Sequence, residues 1–387
     1  HSDAGSNEHL YPGRATEAGQ DSQSIFWLMC IGFELTCVDA YAWEVVMSFG
    51  LFVQPDDKLK PVDISSGAKT AAYRGFFNPV LDVNGDGWMT ITTPQNARIF
   101  FIPRNTVSIF TPPNSVVVNV AKIDGIYYMG NDVYKLDSNL SRLSGPMVPF
   151  SLDAFQITGP EDGRFGLYMS DATDFTAITD VGTCGFVVWR GSVAVNGAWD
   201  IPVDIPNRDT CIVFANWDRG DRTVFFDRES MTVRIYREQG DRIINDAAAD
   251  CIINFCIVTT GFEPSIPSSG YGLVIRNGLG KITYSSKYPP LMFRNMTFTV
   301  SRIPGEYVSL SGTNKPMIPL CCLGSQRSNE VFNGNYRQAY KCGLKMVNNS
   351  VTVWRAFVQA RYDGNYSSFQ FEVSPQPLPY IDANDYF

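Results

Sequence analysis

The stretch "FGLFVQPDDKLKPVDIS" (residues 49–65) opens on an aromatic-Gly-Leu phrase, runs through a polar turn containing Pro and Asp, and ends in a second apolar segment. The phrase returns as "FGLYMSDATDFTAITDV" (residues 165–181) and as "YGLVIRNGLGKITYSS" (residues 271–286), its aromatic starts lying 116 and 106 residues apart. Self-similarity at long period has to be settled before elements are assigned, because a missed repeat misassigns the fold. Two further landmarks keep the same order. "NSVVV", "ESMTV" and "NSVTV" place Ser115, Ser230 and Ser350 at 66, 65 and 79 positions after the aromatic starts. Apolar segments running into Gly or Pro then close each unit at Phe155, Phe255 and Phe371.

Within the units the local pattern is that of strands. Met231, Val233 and Ile235 alternate with Thr232, Arg234 and Tyr236, a period of two that puts alternate side chains on opposite faces. Turn chemistry recurs at Asn84-Gly85, Asp124-Gly125, Asn277-Gly278, Asp363-Gly364 and Pro112-Pro113. Helical periodicity is confined to one stretch, residues 237–250. The expectation is an all-β chain of three tandem, related β-sandwich-like domains spanning 47–162, 163–268 and 269–387, each within the usual size of a single core. Gly- and Pro-bearing linkers are expected at 158–164 and 261–270.

The 387 residues carry 31 Lys and Arg against 39 Asp and Glu, a net charge of -8, so no broad basic field exists to attract a phosphate backbone, and nucleic acid is excluded as a partner. Arg219, Arg222 and Arg228 sit among Asp218, Asp221, Asp227 and Glu229, the pattern of a mixed solvated surface. The nine cysteines fall largely in apolar runs and read as small core residues of a protein folding in a reducing cytoplasm.

Residues 24–46 form the most hydrophobic stretch, but Glu34, Asp39 and Glu44 interrupt it and no basic segment precedes it, so neither export nor membrane insertion is expected. Trp43-Glu44-Val45-Val46-Met47 can be encoded with a GGGAGG ribosome-binding sequence just before an ATG. Translation is therefore expected to start at Met47, with residues 1–46 an extension not translated natively; a genuine N-terminal arm is the alternative.

The [FY]-G-L opening followed by two apolar residues, a turn and an Asp- or Ser-bearing strand resembles a small domain common in tail proteins of long-tailed bacteriophages. There the phrase often follows the initiator methionine almost directly, as Met47-Ser48-Phe49-Gly50-Leu51 does here. The resemblance implies a structural or host-adhesion component of a virion tail tip, baseplate or fibre, made in the host bacterial cytoplasm and acting by binding, not catalysis. It implies homo-oligomers, other tail proteins as partners, and a host-surface glycan or protein as ligand; it offers no catalytic residues.

Residue chemistry points the same way. His1 and His9 are the whole histidine complement, which removes Ser-His-Asp and Cys-His catalysis from the three units. "DVNGDG" supplies Asp82, Asn84 and Asp86 as the first half of a calcium loop. Position twelve is Thr93 and not the Glu that completes such a site, so the expectation is a hairpin turn with at most weak calcium binding and no other cofactor. In "WDRGD", Trp217, Arg219 and Asp221 form a candidate binding tip, with Trp217 exposed at a hairpin between "CIVFAN" and "RTVFFD". Two rival readings remain open. One is a carbohydrate-binding or carbohydrate-cleaving module using Trp88, Trp189, Trp199, Trp217 or Trp354 as platforms; the other is a bacterial surface adhesin.

Overall fold

In the computed structural model the described residues are 52–387 without 65–68, 93–97, 112–114, 117, 143–149, 158–165, 169–176, 180–183, 241, 269–271, 278, 295, 329–330, 332–333, 364 and 366–369, preceded by the backbone of two strands. Those two, Gly32–Cys37 and Trp43–Ser48, pair antiparallel. The protein is all-β, 59% strand and 3% helical, and its helical residues are short 3₁₀ turns such as Arg208–Thr210.

All three opening phrases fold into the same element, a two-stranded antiparallel hairpin. Phe52–Val53 pairs with Val62–Asp63, Gly166–Tyr168 with Ala177–Thr179, and Val274–Arg276 with Ile282–Ser285. Where it is described, the second landmark sits at the entry to the second strand of a hairpin: Val107–Phe110 with Asn119–Gly130, Arg219–Asp227 with Thr232–Gln239, and Tyr336–Val347 with Ser350–Asp363. Met231, Asn348 and Asn349 adopt positive φ at these turns, a conformation Asn tolerates through local hydrogen bonding. The closing strands Ser151–Ile157, Asp250–Thr259 and Gln370–Val373 return to pair with Arg98–Asn105, Ile212–Asn216 and Gly324–Arg327.

The units meet in a closed ring. Ala72 bridges Cys184, Phe186 bridges Pro290, and Met292 pairs with Thr70. The residues between them complete a triangle of backbone hydrogen bonds: the Gly185 N–H donates to the Ala71 carbonyl (3.2 Å), the Leu291 N–H to Gly185 (2.7 Å) and the Ala71 N–H to Leu291 (3.1 Å). Ala71, Gly185 and Leu291 lie 22, 20 and 20 positions after their aromatic starts, so equivalent segments of the repeat form an approximately threefold, cyclic arrangement. All these backbone groups are buried, and pairing them with one another removes the cost of orphaned donors and acceptors.

The cores interlock as the strands do. One cluster draws Val53, Phe100 and Phe155 from the first unit, Phe186 and Phe214 from the second, and Tyr284 and Phe293 from the third. Phe293 lies 5.7, 6.3 and 6.5 Å from the rings of Phe100, Phe155 and Phe214. A second cluster is shared by the second and third units, whose strands also join in one fourteen-stranded sheet. Strand pairing and core packing therefore cross both sequence boundaries, 162/163 and 268/269.

Several local expectations change. Residues 237–250 are no helix: Gly240 turns the chain at φ 55°, Arg242–Ile244 pairs back on Thr232–Gln239, and Asp246 accepts the N–H groups of Ala248 and Ala249. Asp124-Gly125 is a bulge inside Asn119–Gly130, not a turn. The expected linker at 261–270 is irregular and mostly exposed where it is described, anchored by the buried Pro264 and by Glu263, which accepts the Ile282 N–H at 2.8 Å; residues 158–164 lie outside the described residues. The seven cysteines among the described residues are free thiols, five of them buried, and burial pushes Cys184 up to about 12.

Candidate functional site

Asn84-Gly85 forms the expected turn, and its geometry explains why Asp82 is there. One Asp82 carboxylate oxygen accepts the N–H groups of both Asn84 (2.8 Å) and Asp86 (3.0 Å), while its carbonyl accepts the Gly85 N–H (3.0 Å). This is an Asx turn. The Asp86 carboxylate is already neutralised by the Lys135 ammonium at 2.9 Å. A donor set with one carboxylate turned onto backbone and another held by a cation does not fit calcium, and among the described residues no group of three or more His, Cys, Asp or Glu is placed to hold a metal.

The Arg-Gly-Asp segment is not a hairpin tip. Ile212–Asn216 and Arg219–Asp227 do not pair with each other; the first joins Asp250–Thr259 and Pro316–Pro319, the second Thr232–Gln239 and Tyr336–Val347. Trp217 therefore links two non-adjacent strands of the fourteen-stranded sheet and is 3% exposed, a core residue and not a binding aromatic. Arg219 is half-buried and Asp221 exposed; they meet in a two-point contact of 2.9 and 3.0 Å, and Asp221 also accepts from Arg222 at 2.5 Å. The hydrogen bonds from Arg219 lower the Asp221 carboxyl below the usual carboxylate value.

Of the five tryptophans read as platforms, Trp88 is the one presented to solvent, at 50% exposure. Trp199 stacks on Phe255 at 4.7 Å and meets Trp189 at 5.1 Å, and Trp354 lies under Lys345 with its indole N–H on Glu238. The Trp88 neighbourhood forms a surface. Asp86–Thr90, Val133–Ser138 and Asn119–Gly130 lie side by side, and the register sets Trp88 opposite Lys135 and Lys135 opposite Tyr127. Cross-strand partners share a face, so the row Trp88, Lys135, Tyr127 is one strip, with Lys135 5.9 Å from the Trp88 ring centre. Tyr127, Tyr128 and Met129 are each at least half exposed. Gly125 shapes the strip: a Cβ there would stand 2.3 Å from the Tyr127 hydroxyl, so only glycine lets that ring lie along the strand. Lys135 is pinned by Asp86 and Asp137 at 2.9 and 2.8 Å. Their hydrogen bonds raise its ammonium above the ordinary lysine value. The arrangement offers flat aromatic faces flanked by carboxylate acceptors, chemistry that suits contact and not bond making.

Sequence reading placed Trp88 among the platforms but missed Tyr127, whose role depends on a register that no local pattern encodes. No curated protein and no solved structure matches the chain. A family model described as "Family of unknown function (DUF6453)" matches residues 50–367, most of the chain, and the protein belongs to that family.

Proposed function

We propose that the chain is a structural or host-adhesion component of a long-tailed phage virion, working by surface contact. The observation that carries this reading is the threefold use of one [FY]-G-L hairpin, the phrase that resembles phage tail domains, in a ring whose interior is spent on packing. The exposed Trp88 and Tyr127, on the face of Lys135, supply a contact face on a braced sheet. Exposed aromatics beside charged groups are the residue types that anchor interaction surfaces. Peptide mass spectrometry on particles purified from the source culture tests it: enrichment in the particle fraction is expected, and recovery in the soluble cell fraction alone overturns it.

A second reading, carbohydrate binding, is favoured by the Trp88 strip, since aromatic faces beside carboxylates match the apolar and hydroxyl faces of a sugar ring. A glycan array should then show selective binding that Trp88→Ala removes. Uniform failure to bind leaves the structural role.

A further inference from the structure

A cleft of about 370 Å³ lies where all three sequence units meet, and two cations in its walls have no carboxylate partner among the described residues. The first unit contributes Arg104 and Ser108, the second Phe226 and Arg228, the third Cys322 and Lys341. The Thr106 hydroxyl donates to the Cys322 carbonyl and clamps first unit to third along one edge.

The charges divide clearly. Arg104 is satisfied by two hydrogen bonds, at 2.6 and 2.5 Å, to the buried Asp153. Asp227 is engaged by Ser230 at 2.7 Å and Arg234 at 3.4 Å. Arg228 and Lys341 have no carboxylate partner among the described residues, and the lining's remaining acid, Glu229, is exposed at the rim. One Arg228 N–H donates to the Cys211 carbonyl at 2.8 Å, and its guanidinium lies 5.0 Å from the Phe226 ring centre. These two contacts hold the guanidinium while leaving its other N–H groups without an acceptor among the described residues. Burial first, and the nearby Arg104 as well, pull Arg228 below the ordinary arginine value, so the cleft favours an arriving anion over bare charge.

We propose that this cleft binds a compact organic carboxylate bearing hydroxyls, of the uronic-acid class. A fixed, planar guanidinium recognises a carboxylate through two parallel hydrogen bonds, and Lys341 adds a second cation. The volume is at the small end of ligand sites and suits one such unit. Val107, Leu320 and Phe226 provide apolar wall, and Ser108 and Gln359 provide polar rim for hydroxyls. The inference is independent of the virion reading and of the Trp88 strip.

Isothermal titration with D-glucuronate, D-glucose and inorganic phosphate on the full chain tests it. Saturable glucuronate binding is expected, with glucose and phosphate at least about tenfold weaker, the size of effect one charge-assisted pair gives. Lys341→Gln, at a half-exposed position, and Arg228→Gln should each weaken glucuronate about tenfold or more; the first remains informative if the second does not fold. Glucuronate that fails to bind, that binds no better than glucose or phosphate, or that is indifferent to Lys341→Gln overturns the assignment. A uronate-terminated disaccharide distinguishes the source of a carboxylate that does bind: tighter binding assigns a glycan end, equal or weaker binding a free acid.

Discussion

The inner ring and the outer hairpins are built from the same repeat, yet one is nearly threefold and the other is not. At the ring each unit gives one short segment and receives one, through the same bridge at each junction. Farther out, the long hairpins of the second and third units pair through Val224 and Leu344. The first unit instead approaches the third by side-chain contacts, with Arg327 donating to the Val118 carbonyl at 2.9 Å and Ser374 to the Ile123 carbonyl at 2.8 Å. Backbone pairing at the ring is indifferent to side-chain identity and tolerates divergence. The outer layer is decided by single residues that the repeat does not share, and those residues are where the comparison can be broken.

Arg190 gives the largest expected effect. Its side chain is fully buried, binds Asp57 at 2.7 and 2.9 Å, and donates to the carbonyls of Lys60 and Tyr386 at 2.8 and 2.7 Å. It thus ties the first opening hairpin and the chain end to the second unit beside the ring. Arg190→Ala strands two carbonyls and a carboxylate and should cost about 3–5 kcal/mol in denaturant unfolding. A cost below about 1 kcal/mol would mean that the ring holds without its clasp.

Gly343 tests the outer layer. A Cβ there would lie 2.4 Å from the Val224 carbonyl oxygen, a backbone atom that can move only by parting the two long hairpins. Gly343→Ala should destabilise by about 2–3 kcal/mol. Because the strain falls between second and third units, hydrogen exchange should rise in Arg219–Asp227 and Tyr336–Val347 before it rises at the ring. Gly185→Ala is the matching change at the ring. Its Cβ would sit 3.2 Å from Leu291 and Phe155 side-chain atoms, tight but against groups with some freedom, and about 1–2 kcal/mol is expected by the same measurement. If Gly185→Ala costs more than Gly343→Ala, the ring and not the outer sheet is the less adaptable region.

The sequence made the hairpins legible because their information is local: Asn277 and Asp82 each organise their own turn. Pairing between units is not local. Ala71, Gly185 and Leu291 share no side-chain character, so nothing in the repeat signals that their backbones meet. The same limit explains the errors at Trp217 and Arg228. Both lie in charged, polar stretches that read as surface, yet the third unit, whose Leu320 and Cys321 arrive from about a hundred residues away, buries Trp217 and walls Arg228 into a cleft. The expected helix over 237–250 failed for a local reason that was visible in principle, namely Gly240 followed by an Asn245-Asp246 turn, in which the Asn245 amide donates to the carbonyls of Gly197 and Ile235.

The smallest effect belongs to the outer surface, where Asp221, Asp246 and Asp250 pair with Arg219, Arg237 and Arg222. Hydrogen bonding by arginine and backbone lowers all three carboxyls below their ordinary value of 3.8, although burial opposes it, foremost at Asp246. A carboxyl that is more acidic folded than unfolded binds fewer protons in the native state, so its contribution is complete above the unfolded value and disappears as pH falls through the folded one. Stability should therefore decline as pH drops below about 4, and the triple change to Asn should flatten that decline while leaving stability at pH 7 nearly unchanged, since exposed pairs are worth little in salt. A decline that survives the triple change would show that the acid sensitivity does not lie in these three exposed pairs.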